Sequence, residues 1–357
     1  MSNSMDEILM NSETENEENK DRLSDLPDSI LLHILSFMNA VLAVRTCILS
    51  TRWKDLWKRL PTLIFHSQDF LSSQSSYVFQ YRFLTGRDDS TALQDLDLKY
   101  IDSESMGPIQ PQVIVRMVYY AVSHNVQRLG IYSESSFFGL LAVLPCIFTC
   151  HTLTSLKLIL GPDVPRNDTV SYLFPESMNL PALTTLHLRN FTFGSSSNGR
   201  ADPFSGLNRL KSLIIDQCNL KDTRILCITS MTLVSLTLHN HRPCSPRHNY
   251  YKAELCTPCL HRFACTECPS HYLYGSGLSS VKEVNIGADL CMYNSEPPRI
   301  LLSWLRDLLN ITSLTVTKRT LQVLFLVPDL LKIKLPSLAN LKRLKVVMMK
   351  NRERAAS

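Results

Sequence analysis

The chain has 357 residues, 45% of them hydrophobic, with a net charge of +5 and a mean hydropathy of −0.02. That length holds one large domain and a small one. No run of about 18 apolar residues is present to cross a bilayer. The first 20 residues carry Asp6, Glu7, Glu13, Glu15, Glu17 and Glu18 against Lys20, a net −5, so residues 21–357 carry +10. With no basic stretch leading into an apolar one, residues 1–20 read as a disordered acidic tail and not as a secretory leader. The 11 cysteines of a chain read as intracellular are expected to be reduced. Lys and Arg are scattered without aromatic interleaving, so the positive charge alone does not point to nucleic acid.

The tail gives way to an apolar segment. Pro27 suits the first turn of a helix, and Asp28 adds negative charge there. Ile30, Leu31, Ile34, Leu35 and Met38 follow on one helical face. A second helix is expected from Ala40 to Leu49, and Trp53, Leu56 and Trp57 make the face of a third. About 35 residues cannot bury a core of their own. They are either a helical cap for the longer stretch of chain after them or a module that buries its surface on another protein.

The run Ala43-Val44-Arg45-Thr46-Cys47-Ile48-Leu49-Ser50-Thr51-Arg52-Trp53-Lys54-Asp55-Leu56-Trp57, preceded by Leu26-Pro27, resembles the F-box in the form common in plants. Where that family often has Leu-Pro-Thr-Lys-Asp, this chain has Met38-Asn39-Ala40-Val41-Leu42. The resemblance implies binding to the adaptor subunit of an SCF-type ubiquitin ligase, and through it to a cullin. Leu26, Pro27, Ile30, Ile34, Leu35, Val44, Leu49 and Trp53 would form or support that contact.

Residues 66–90 read as a linker or a first irregular unit. Beyond them one pattern recurs, apolar-x-x-apolar-x-apolar. It begins at Leu93, Val126, Leu153, Leu183, Leu210, Leu233, Leu260, Val281, Ile311 and Leu341. The mean spacing is about 28 residues, within the leucine-rich-repeat range. In each unit the last three residues alternate in, out and in, as a short strand requires. The chain then returns over the other side, and stacked units share one core. Helices are expected at Gln112–Ser123 and Pro298–Leu309, and Pro181, Pro203 and Pro336 fall just before strands.

The expected fold is therefore an α/β solenoid. It comprises a three-helix F-box at 21–65, a leucine-rich-repeat horseshoe at 91–350 with parallel strands on its concave face, and a tail at 351–357. The whole resembles plant F-box/leucine-rich-repeat proteins, some of which carry a further C-terminal FBD region. That region is expected to be absent here, which leaves a truncated product as an alternative.

His241, Cys244, His248, Cys256, Cys259, His261, Cys265, Cys268 and His271 cluster in sequence, with two Cys-x-x-Cys pairs. Two such pairs are a zinc signal. Against it, Cys265 falls on a repeat strand, where six extended residues would part Cys259 from Cys265 by about 20 Å. Cys265 then reads as a small core residue, and no metal is assigned. No P-loop, Gly-x-Gly-x-x-Gly, Gly-x-Ser-x-Gly or His-Glu-x-x-His occurs. No catalytic residue or cofactor is therefore assigned, and no membrane or nucleic-acid partner is expected.

The order of docking module and repeats reads as a non-catalytic substrate receptor of a ubiquitin ligase, in the nucleus or the cytoplasm. A non-degradative scaffold of the same architecture and a small-molecule sensor are the alternatives. An unidentified protein target would lie on the strand positions between core leucines: Lys157, His187, Arg189, Ile214, Asp216, Thr237, His239, Asn285, Thr315 and Lys345. Lys342-Arg343-x-Lys345 reads as a basic strand face and not as a localisation signal.

Overall fold

A computed structural model of the chain describes residues 23, 25–101, 111–133, 138–161, 172–176, 178–194, 199–240, 251–267, 269, 271–288, 296–326 and 338–348. The acidic tail at 1–20, His241, Cys244, His248, Cys268, Pro336 and the tail at 351–357 lie outside these residues.

The apolar segment folds as two short α-helices, Asp28–Leu35 (α1) and Ala40–Arg45 (α2), and two 3₁₀ segments, Thr46–Ile48 and Trp53–Arg59. The expectation of three α-helices is corrected at two points. The second helix leaves α geometry at Thr46, whose hydroxyl donates back to the Ala43 carbonyl at 2.7 Å. Side-chain bonds of this kind compete with the helical ladder. The third is 3₁₀, and its three residues per turn put Trp53 and Leu56 on one buried side.

The chain continues through β1 (Thr62–His66), α3 (Ser73–Gly86), β2 (Asp95–Tyr100), α4 (Pro111–Ser123), β3 (Arg128–Ser133), α5 (Phe138–Ile147) and β4 (Ser155–Leu160). Then come β5 (Tyr172–Phe174), β6 (Thr185–Arg189), β7 (Phe191–Phe193), β8 (Ser212–Asp216), β9 (Asn219–Leu220), β10 (Ile225–Thr229) and β11 (Ser235–Asn240). The last elements are β12 (Tyr251–Cys256), β13 (Arg262–Glu267), β14 (His271–Tyr274), β15 (Glu283–Ala288), α6 (Glu296–Asp307), β16 (Ser313–Thr317), α7 (Lys318–Leu324) and β17 (Arg343–Val347).

An 11-stranded parallel sheet runs β1-β2-β3-β4-β6-β8-β11-β13-β15-β16-β17. Each repeat motif supplies one of its strands, and all are in one register. Leu96 pairs with Leu129, and the row continues through Leu156, Leu186, Leu213, Leu236, Phe263, Val284, Leu314 and Leu344. Strand β1 extends this array upstream. Leu60-Pro61-Thr62-Leu63-Ile64-Phe65 carries the same spacing, and Leu63 pairs with Leu96. Residues 66–90 therefore hold the helical return of a first unit, α3, and the sheet begins before the expected end of the docking module at 65.

The return segments differ along the array. Helices return the chain at both ends, at α3, α4 and α5 and again at α6 and α7, and the two expected helices are α4 and α6. In the middle the returns are strands, which pair as two small parallel sheets, β5-β7-β9 and β10-β12-β14. Tyr172, Phe174, Phe191 and Phe193 alternate with period two and suit pleated surfaces. Phe174 meets the rings of Phe191 and Phe193 edge-on, each at 5.5 Å.

The N-terminal helical module and the sheet share one core, joined at α3. Trp57 packs on Phe83 with ring centroids 5.0 Å apart. Gly86 passes beneath it so closely that a Cβ would lie 2.9 Å from the Trp57 ring. The buried Arg87 donates to the Leu60 carbonyl at 2.8 Å and to the Tyr120 hydroxyl at 2.9 Å.

Candidate functional site

Two surfaces stand out. The first is the outer side of the docking module. Leu31 and Leu35 of α1, Ala43 of α2, Trp53 and Leu56 face inward and are buried. Ile30, Ile34 and Phe37 follow at i, i+4, i+7 on the other side, one helical stripe, with Phe37 74% exposed. Beyond it Leu42 is exposed, Leu49 is 62% exposed and Ile48 is 85% exposed. All six lie within residues 30–49, a dense set of exposed apolar side chains on a small module. Such surfaces mark contact with another molecule.

Of the residues singled out in the sequence, Pro27, Ile30, Ile34 and Leu49 are exposed, and Leu26 and Val44 are half-buried. Leu35 and Trp53 are buried in the chain's own core. Sequence reasoning missed Phe37, Leu42 and Ile48, because apolar spacing does not say which flank of a short helix faces inward.

The module is braced by charge. Asp28 accepts from Arg52 at 2.9 Å and from Arg59 at 2.8 Å, one guanidinium on each carboxylate oxygen. The Arg59 and Arg52 hydrogen bonds hold its carboxyl below the ordinary carboxylate range. The brace ties the start of α1 to both ends of the last 3₁₀ segment. Asp28 therefore does more than offset a helix terminus.

The second surface is the half-exposed face of the large sheet. Its central row runs Ile64, Asp97, Gly130, Lys157, His187, Ile214, Thr237, Ala264, Asn285, Thr315 and Lys345. The next row contains His66, Lys99, Tyr132, Ile159, Arg189, Asp216, His239 and Thr266. The ten candidate target-facing residues thus fall in two adjacent rows of one face. Lys157, Asn285 and Lys345 are exposed, and His187, Arg189, Ile214, Thr237, His239 and Thr315 are half-buried. Asp216 is only 6% exposed and lies 3.6 Å from Arg189 Nε, so it anchors Arg189 more than it presents itself.

Asp97, Lys99 and Tyr132 belong to the same rows, and the leucine register could have located them. Lys99 Nζ sits 5.7 Å from the Tyr132 ring centre. Asp97 leans over Gly130, where a Cβ would lie 2.8 Å from its Oδ1. Burial lowers His187 to about 4, aided by Lys157, His239 and Arg189.

Of the cysteine-rich segment, Cys265 packs in the core. Cys265 pairs in register with Leu238 and Ile286 and is 2% exposed. Burial pushes its thiol up to about 12. Cys256 lies on β12, in a different sheet, and Cys259 is exposed. Among the described residues no three or more His, Cys, Asp or Glu side chains are placed to hold a metal ion. A cavity of about 560 Å³ opens between α5 and β5, lined by Leu144, Phe148, Leu173, Phe174 and Met178. Its polar lining includes Asn179, whose amide is engaged with His151 at 3.0 Å. No helix among the described residues is long and apolar enough to cross a membrane.

Comparison with known proteins gives these surfaces a context. Residues 23–65 match the F-box domain family. An F-box/LRR-repeat protein of Arabidopsis thaliana is 31% identical over 63% of this chain and 59% of its own length. Two F-box/FBD/LRR-repeat proteins of the same plant are also similar. One is 29% identical over 62% of this chain and 46% of its own length. The other is 25% identical over 93% of this chain and 74% of its own length. The chain spans less than two thirds of several curated relatives, between 46% and 65% of their length.

Proposed function

We propose, from the premise that this chain carries an F-box domain and is a homologue of plant F-box/LRR-repeat proteins, that it is a substrate receptor of an SCF-type ubiquitin ligase. The observation that carries this reading is the apolar surface of Ile30, Ile34, Phe37, Leu42, Ile48 and Leu49, which lies within the matched domain. An adaptor subunit would cover it, with Leu26, Pro27 and Val44 at its margin. Leu35 and Trp53 would support it from the core.

The half-exposed sheet face would hold a target protein. No bond chemistry is asked of this chain. It would act by raising the local concentration of a target lysine near a ubiquitin-charged enzyme brought in through the cullin. The nucleus and the cytoplasm, where such ligases work, are the proposed locations.

The test compares plants that express the wild-type chain or Ile48→Asp in place of it. Proteins that co-precipitate with the chain should accumulate in the Ile48→Asp plants and decay in the wild type. Co-precipitating proteins with equal half-lives in both would overturn the degradative role and favour a scaffold.

A further inference from the structure

The half-exposed sheet face is not uniform in charge. At its first strands, Asp95 pairs with Arg128, and Asp97 and Lys99 follow in turn along β2. On β13 and β15, Arg262 pairs with Glu283 at 3.1 Å. The centre differs. Lys157 on β4, His187 and Arg189 on the adjacent β6, and His239 on β11, one strand beyond β8, lie in the same two rows. The carboxylate among them in these two rows is Asp216, which is buried and already set against Arg189. Ile159 and Ile214 lie beside these cations in the same two rows and give the patch an apolar floor.

We propose that this patch seats an acidic segment of the target protein, with a carboxylate side chain placed at Lys157, His187 and Arg189 and an apolar neighbour resting on Ile214. The inference rests on the reading of this face as the target-binding surface and names the chemistry it selects. Opposite charge across a docking face speeds encounter and excludes wrong partners. Lys157 is exposed and supplies long-range attraction. Arg189 is half-buried, 3.6 Å from Asp216 through Nε, and its planar guanidinium suits a carboxylate.

His187 supplies a spectroscopic signature. Burial, Lys157, His239 and Arg189 keep its ring uncharged down to about pH 4. Asp216 lies one strand further on, diagonally across from it. A carboxylate arriving beside the ring favours its charged form, so the His187 titration should move upward when the segment binds.

The experiment uses the full chain, bound to an adaptor subunit, and a library of random peptides displayed on phage. Recovered peptides should be enriched in Asp and Glu next to an apolar residue. Synthetic copies should lose at least about tenfold in affinity for Lys157→Glu. Lys252→Glu, exposed on β12 of a different sheet, should leave affinity unchanged, and the His187 ring signal should titrate at higher pH in the complex. Neutral or basic peptides that lose affinity when Lys157 or Thr237 is replaced would overturn the acidic class while leaving the face as the docking surface. Peptides insensitive to every substitution on this face, or no peptides above background, would overturn both.

Discussion

Single side chains set the pH response of this molecule. His187 and half-buried His271 are both lowered from 6.5 to about 4, chiefly by burial. Between those values the unfolded chain binds protons that the folded chain refuses. Stability therefore falls as pH drops from 6.5 toward about 4, and this contribution levels off below it. Asp28, Asp55 and Asp88 behave differently. Arg59, Lys58 and Ser90 respectively hold them below 3.8, so their stabilisation is lost only as pH falls through that lower range. Asp202, raised by burial, opposes them. Urea midpoints followed from neutral pH to about 4 should decline in the wild type and decline less in His271→Gln. Parallel curves would contradict the assignment. Asp28→Asn should speed amide exchange in α1 and in Trp53–Arg59 together, since Asp28 ties the two.

Individual strands differ in what they contribute, and one register row shows it. Leu213 on β8 is fully buried, whereas Leu344 on β17 is 62% exposed in the equivalent position. Leu213→Ala should cost about 2–5 kcal/mol, the range for emptying a packed leucine site. Leu344→Ala should cost well under that, and equal losses in urea unfolding would show that β17 is packed more deeply than it stands here. The strands were the legible part of the sequence, because three apolar residues at fixed spacing specify both a strand and its register. Strand β1 follows the same rule at Leu60, Leu63 and Phe65, but it adjoins the N-terminal helical module, whose own apolar residues mask the pattern. The small sheets were not legible, since two- and three-residue strands such as Asn219–Leu220 and Tyr172–Phe174 leave almost no periodicity. At the docking surface the sequence showed that apolar residues gather but not which point outward. Leu35 and Trp53 turn inward, while Phe37 and Ile48 carry the exposed area. The Asp28–Arg52 and Asp28–Arg59 pairs join residues 24 and 31 positions apart, a distance over which spacing carries no signal.

At the scale of the whole molecule the two surfaces are held on one body. Arg87 reaches both the Leu60 carbonyl and the Tyr120 hydroxyl, and Trp57 sits on Phe83 across the same joint. Arg87→Leu removes both bonds and leaves the Leu60 carbonyl without that donor. Amide exchange around Leu60 should then rise while exchange in β8 and β11 stays at its wild-type rate. A joint of this kind holds the sheet face and the helical module in one body, which the proposed role of positioning a target would require. The most direct measurement is calorimetric titration of the purified chain with an SCF adaptor subunit, wild type against Ile48→Asp. Ile48 is 85% exposed, so this substitution leaves the core intact. Saturable one-to-one binding by the wild type, lost in Ile48→Asp with its thermal unfolding unchanged, is the expected result. No binding by the wild type, or equal binding by both, would contradict the docking role of this surface.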